Sequence, residues 1–278
     1  MVHRQILDWD SAYTNGANIP GGSAWPAAWV EPAARFRRVL AEEGRARLDL
    51  SYGDGERNRL DLFLPEGPAT GLVVFVHGGY WMALDKSYWS HLAQGSLARG
   101  YAVAMPSYRL CPDVRIGDIT GDIARAIAFV AGEVGGPICL TGHSAGGHLV
   151  TRMVSQGSPL PAEVRARVRH TLSISGVHDL RPIMRTAMNK TLLIDGAEAE
   201  RESPVLLRPA ENVRLTCWVG GAERAEFRRQ NELLGNIWTG LGASTMVFEE
   251  PDRHHFNVID GLGDPDHALT RTLLGIEG

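Results

Sequence analysis

The sequence predicts an α/β fold: a mostly parallel, eight-stranded sheet with helices on both faces and no large separate cap. Three observations carry this. Short, continuously apolar runs such as Leu72-Val73-Val74-Phe75-Val76 and Tyr101-Ala102-Val103-Ala104-Met105 have the composition of strands covered on both faces, as in a parallel sheet. Helical segments alternate with these runs, which implies right-handed crossovers between parallel strands. A serine sits between two glycines, Gly142-His143-Ser144-Ala145-Gly146, where one apolar run passes directly into a helical one.

The 278 residues, 44% hydrophobic and 22% charged, are those of an ordinary globular chain with enough length for a large core. No repeat, low-complexity tract or linker divides them, so a single domain over 1–278 is expected. A net charge of −4 gives no electrostatic case for nucleic acid or an anionic membrane. Cys111, Cys139 and Cys217 are scattered and form no C-x-x-C pair, which supports neither a disulfide framework nor a zinc site. The charged start, Met1 to Asp10, lacks the apolar core of a secretory leader, and a cytoplasmic location is the expectation. A homodimer is left open.

Taken in order, residues 1–44 read as an N-terminal arm and a helix. In residues 11–30, Tyr13, Trp25 and Trp29 are interleaved with glycines and prolines, which argues against regular structure. The plain reading is an arm packed on the domain; the sharper one folds it over an active-site mouth. Pro32 to Glu43 reads as a helix with Ala33, Phe36 and Leu40 on one face. Arg45 to Tyr52 and Asn58 to Leu64, joined through Gly53-Asp54-Gly55, form a hairpin signal. The strand at 72–76 is followed by a loop, a helix over 86–99, the strand at 101–105 and a helix over 116–133. Pro137 to Thr141 leads into the serine turn, and Gly147 to Val154 starts the helix after it. Further strands fall at 171–174, 215–219 and 244–249, with helices near 223–240 and 264–274. The long segment 179–212 suits small helices over the carboxyl edge of the sheet.

A serine on a tight strand-to-helix turn has its hydroxyl forced out of the sheet, and glycines flank it where a Cβ would collide with neighbours. This is the G-x-S-x-G nucleophile elbow, and Ser144 is the candidate nucleophile. A serine hydroxyl needs a base, and the base an orienting acid. In α/β-hydrolases these follow in the order Ser, acid, His. The loop after the last strand offers His254 and His255; His255, beside Phe256, is the preferred base. After the penultimate strand the first carboxylate is Glu223, ahead of Asp179 and Asp195; Asp252 is too close to His255 in sequence. The loop His77-Gly78-Gly79-Tyr80-Trp81 offers backbone N–H groups of Gly79, assisted by Gly78 or Tyr80, with Ala145 as the second oxyanion donor. His77 holds this loop. Tyr80, Trp81, Trp25 and Trp29 are candidate aromatic walls of a substrate slot, and His143 a further substrate contact.

His77-Gly78-Gly79, Ser107 to Asp113 and Gly142 to Gly147 resemble the hormone-sensitive-lipase-like branch of the α/β-hydrolases. Tyr80-Trp81 in place of that branch's third glycine is similar to the kynurenine formamidases (arylformamidases), as are Ser175 to Pro182, Ser203 to Leu207, Glu226-Phe227 with Gln230, and His255-Phe256. The similarity runs from about residue 48 to 262. One position departs: the family's catalytic aspartate aligns with Glu223, whose longer side chain reaches the histidine only if the backbone or the helix start shifts. The resemblance implies an α/β-hydrolase fold and hydrolysis of N-formyl-L-kynurenine to L-kynurenine and formate, a step of tryptophan catabolism. It also implies a small-molecule acyl substrate and no cofactor or metal. A general short-chain carboxylesterase shares every catalytic part and differs only in the pocket. A non-catalytic binding protein of this fold is a remote alternative, since candidates for all three catalytic positions are retained. A metal-dependent hydrolase finds no H-E-x-x-H motif.

Overall fold

The computed structural model describes residues 5–276; Met1 to Arg4, part of the stretch read as lacking a leader, lie outside them. The predicted apolar runs pair into one eight-stranded sheet of β1 (Ala46–Ser51), β2 (Arg59–Phe63), β3 (Gly71–Val76), β4 (Tyr101–Pro106), β5 (Ile138–His143), β6 (Val168–Ile174), β7 (Arg214–Gly220) and β8 (Ser244–Glu250). Their order is β1-β2-β4-β3-β5-β6-β7-β8; β2 is antiparallel to β1 and β4, and all other pairs are parallel. Ten α-helices are described: α1 (Trp9–Tyr13), α2 (Trp25–Glu42), α3 (Gln94–Ala98), α4 (Ile116–Glu133), α5 (Ala145–Met153), α6 (Ala162–Arg165), α7 (Asn189–Leu192), α8 (Gly196–Glu202), α9 (Ala225–Gly240) and α10 (Ala268–Leu274).

The period-two geometry of a strand sorts its side chains onto two faces. In β3, Leu72, Val74 and Val76 join a core with α4, α5 and α9, while Val73 and Phe75 join a second core with α2, α3 and α10. Both faces are therefore dry, which is why these strands read as unbroken apolar runs. Cys111, Cys139 and Cys217 are buried and unpaired. No described helix is long and apolar enough to cross a membrane.

Four expectations need correction. The helix read from Pro32 begins at Trp25, with Pro26 in its first turn and Pro32 inside it. A proline in a first turn costs nothing, because its missing N–H would be unpaired there anyway. The interior one is tolerated because the same helix buries Trp29 and Leu40 in the second core. The helix expected over 86–99 is broken into 3₁₀ turns at Lys86–Tyr88 and Ser90–Ala93 before α3. Asp85 caps the first turn through Ser87 N–H at 2.7 Å, and the chain then bends to bury the Trp89 ring against Trp29, centroids 5.1 Å apart. The last two helices start later than read, at Ala225 and Ala268. The segment 179–212 does carry small helices, α7 and α8 between 3₁₀ turns.

Candidate active site

Ser144 stands between β5 and α5 with φ 56° and ψ −116°. A non-glycine residue holds such a conformation only where its surroundings dictate it. Ser144 N–H donates to Ile174 O at 2.8 Å, fixing the turn to β6. The flanking glycines are required by contact: a Cβ on Gly146 would lie 1.9 Å from Val76 O, and one on Gly142 would lie 2.3 Å from Gly146 O. Ala145 opens α5, so its N–H is among those at a helix start that have no partner within the helix.

Glu223 and His255 meet behind this turn. His255 Nδ1 donates to Glu223 Oε2 at 2.7 Å. The other carboxylate oxygen accepts Ser175 O–H at 2.5 Å and Gly220 N–H at 2.8 Å. The Glu223 side chain is fully buried, and its contacts are hydrogen-bond donors, with no Lys or Arg among them. A carboxylate fixed on Nδ1 sets the imidazole tautomer and leaves Nε2 as the free acceptor. His255 and Ser144 line the same cavity, and no hydrogen bond joins Nε2 to the serine Oγ. Such catalytic contacts are commonly long until substrate binds.

The extra methylene of Glu223 is accommodated by the backbone. α9 starts only at Ala225, and residues 220–223 form a turn with Glu223 N–H on Gly220 O at 3.1 Å. The turn is pinned to the base loop by Gly221 N–H on Glu250 O at 2.7 Å and Ala222 N–H on Arg253 O at 2.9 Å. The other carboxylates are engaged elsewhere: Asp179 pairs with Arg181, and Asp195 caps α8. His254 is half-buried, with Trp25 edge-on to its ring at 5.1 Å. Burial lowers its pKa below the ordinary histidine value.

Gly78, Gly79 and Tyr80 border the cavity, with Gly79 at φ 112° and Tyr80 at φ 50°. No backbone carbonyl takes the N–H of Gly79, Tyr80 or Ala145. Gly78 cannot carry a side chain, because a Cβ would lie 2.9 Å from His143 O. His77 donates Nδ1–H to Gly78 O at 2.7 Å and stacks on Tyr108 at 4.2 Å. Burial depresses its pKa to about 4, so it is a neutral strut. His143 lies against His255 at 4.5 Å and is likewise kept neutral by burial.

The cavity measures about 330 Å³. Tyr80, Trp29 and His143 line it; Trp81 and Trp25 do not. Tyr80 and Trp81 both have positive φ, and Trp81 turns away into the core, where its Nε1–H donates to His148 at 3.2 Å. Trp25 stands behind the wall, against Trp29 and Phe256. The wall from the N-terminal arm is larger than the tryptophans suggested, for Asp10, Tyr13 and Asn15 also line the cavity. Tyr80 O–H donates to Tyr13 O at 2.5 Å, and Tyr13 O–H to Glu226 Oε1 at 2.6 Å. Ser175 was also missed as a partner of the acid. It lies 48 residues from Glu223 in sequence, and no local pattern links the two. No group of three or more His, Cys, Asp or Glu able to hold a metal ion occurs among the described residues.

The sheet order, the elbow at the carboxyl edge of the parallel strands and the acid–histidine pair beside it define a hydrolase of the α/β-hydrolase fold. The BD-FAE family model matches residues 60–203, and the chain belongs to the BD-FAE family. It is similar to the kynurenine formamidase of Salmo salar, 29% identical over 241 residues that cover 83% of this chain and 82% of that one. A crystal structure from Silicibacter sp. TM1040, provisionally described as a thioesterase, is 50% identical with a TM-score of 0.90 and covers 96% of this chain and 99% of that one. The esterase of Pyrobaculum calidifontis shares the fold at 18% identity and a TM-score of 0.68, covering 91% and 92%.

Proposed function

We propose that this protein is an arylformamidase that hydrolyses N-formyl-L-kynurenine to L-kynurenine and formate through Ser144, His255 and Glu223. The observation that carries the reading is the buried Glu223–His255 pair at 2.7 Å, which shares with the elbow serine a cavity of about 330 Å³. That volume is at the small end of ligand pockets, which run from about 300 to 1,000 Å³, and suits a one-carbon acyl group with one aryl ring. In the proposed reaction Ser144 Oγ attacks the formyl carbon while His255 Nε2 takes its proton. The oxyanion draws on the N–H groups of Gly79 and Ala145, with Gly78 or Tyr80 assisting. The carbon–nitrogen bond then breaks as His255 returns the proton to the aniline nitrogen. Water, deprotonated by the same histidine, attacks the formyl ester; formate leaves and Ser144 regains its proton. Trp29, Tyr80 and His143 form the walls against the leaving group.

Similarity to the formamidases over most of the chain supports the choice of acyl group. The Silicibacter structure, described provisionally as a thioesterase, favours a second reading in which the same residues cleave an ester, a short-chain carboxylesterase. The deciding experiment offers purified protein N-formyl-L-kynurenine and p-nitrophenyl acetate side by side, with Ser144→Ala as control. Turnover of the formamide that disappears in the variant is expected. Brisk ester hydrolysis with no formamide hydrolysis would overturn the reading in favour of the esterase.

A further inference from the structure

Four side-chain atoms of residues around the cavity are buried without a hydrogen-bond partner: Asn15 Oδ1, Trp29 Nε1, Trp89 Nε1 and His143 Nε2. Buried polar groups are nearly always paired, so four of them around one cavity offer a set of hydrogen-bonding positions to whatever occupies it. Asn15 is the most informative because it is 7% exposed and lines the cavity beside Tyr80, whose hydroxyl is committed to Tyr13 O at 2.5 Å. Its Oδ1 is left as an unused acceptor. Asp10, on the same arm, adds a carboxylate to this wall, and no Lys or Arg lines the cavity.

We propose that Asn15 selects the leaving group, its Oδ1 accepting a hydrogen bond from an N–H carried by a departing arylamine. This rests on the arylformamidase reading and names what that site recognises beyond the acyl carbon. The indole N–H groups of Trp29 and Trp89 are donors only, and they suit an acceptor such as a ring-bound carbonyl on the same group.

The test is direct binding of two ketones that differ only in the donor, 2-aminoacetophenone and acetophenone, by titration calorimetry. Wild-type protein is expected to prefer the amine. Asn15→Leu is expected to lower the ratio of the two dissociation constants about fivefold, the worth of one neutral hydrogen bond. Asn15→Asp, which keeps an acceptor and guards against misfolding of the leucine variant, retains the preference. A ratio unchanged in Asn15→Leu, equal weakening of both ketones, or loss of the preference in Asn15→Asp would each overturn the proposal. Because no turnover is measured, failure of the protein to hydrolyse a formamide refutes the reaction without touching this result.

Discussion

Replacing Glu223 with aspartate, one methylene shorter, tests the geometry of the acid directly. The carboxylate now spans from His255 Nδ1 at 2.7 Å to Ser175 Oγ at 2.5 Å and Gly220 N at 2.8 Å. Removing one methylene withdraws it by about 1.5 Å, a carbon–carbon bond, which carries the histidine contact beyond hydrogen-bond reach. The backbone cannot follow. Residues 221 and 222 are tied to Glu250 and Arg253, and a Cβ on Gly220 would already meet Arg253 O at 2.2 Å. Losing a hydrogen bond to a charged group costs about 1.5–3 kcal/mol. If the loss falls on the transition state, kcat drops roughly 10- to 150-fold. Because the same contact sets the tautomer, this is the lower bound, and the approximately 10⁴-fold loss seen when a triad acid no longer does so is the upper one. The assay is kcat and KM on p-nitrophenyl acetate together with a melting curve, and KM is expected to stay near wild type. Glu223→Asp at wild-type kcat with an unchanged melting temperature would refute the reasoning, since it would mean that the turn re-forms freely around a shorter acid.

Two further outcomes follow from buried groups. Tyr13→Phe removes the 2.6 Å bond to Glu226 and the 2.9 Å contact with Gln230, and is expected to cost about 1.5–3 kcal/mol in urea unfolding; an unchanged midpoint would show that these two hydrogen bonds contribute nothing to stability. Burial depresses His77 to a pKa of about 4 and His148 and His178 to about 3. Each is neutral when folded yet titrates near 6.5 when unfolded, so the stability it contributes is complete above about pH 6.5 and is lost as the pH falls toward 4 and then 3. Each should add a slope of about 1.4 kcal/mol per pH unit in that window, equivalent to about three protons taken up on unfolding near pH 5. Uptake of fewer than one, from the pH dependence of urea unfolding, would contradict the burial of these rings.

The strands were legible because a parallel sheet covered on both faces needs continuous apolar segments, as β3 and β5 show. α4 was legible to the residue because nothing tertiary competes with its period. Helix starts were not: Pro26 and Pro32 read as breakers, and burial of Trp29 outweighed them. At the site, chain order and loop position were enough to pick the residues that meet, including Glu223 with His255. Which aromatic faces the cavity could not be read, because Tyr80 and Trp81 are neighbours whose left-handed backbone turns one ring to the cavity and the other to His148. Asn15 and Ser175 were silent: Asn15 reaches the cavity from the N-terminal arm, and Ser175 meets an acid 48 residues away.

The N-terminal arm is bound into the same packing that sets the base. The first turns of α9 carry Glu226, Phe227 and Gln230. Phe227 lies against the His255 ring at 4.4 Å, and Glu226 and Gln230 hold the Tyr13 hydroxyl. Gln230 also receives the N–H groups of His178 and Asp179, in the loop that follows β6 and Ser175. Lifting the arm would strip Tyr13 from a buried carboxylate and leave that charge with only Arg229 and Gln230 as donors. That cost is paid at the helix supporting His255, so loosening the arm and misplacing the base are one event. Asp10 and Thr14, exposed where the arm borders the cavity, then mark the rim past which a substrate enters while Tyr13 stays seated. On this argument the arm is a fixed wall of the cavity, and in the proposed reaction its aromatic and amide groups would meet the leaving group without a closing step.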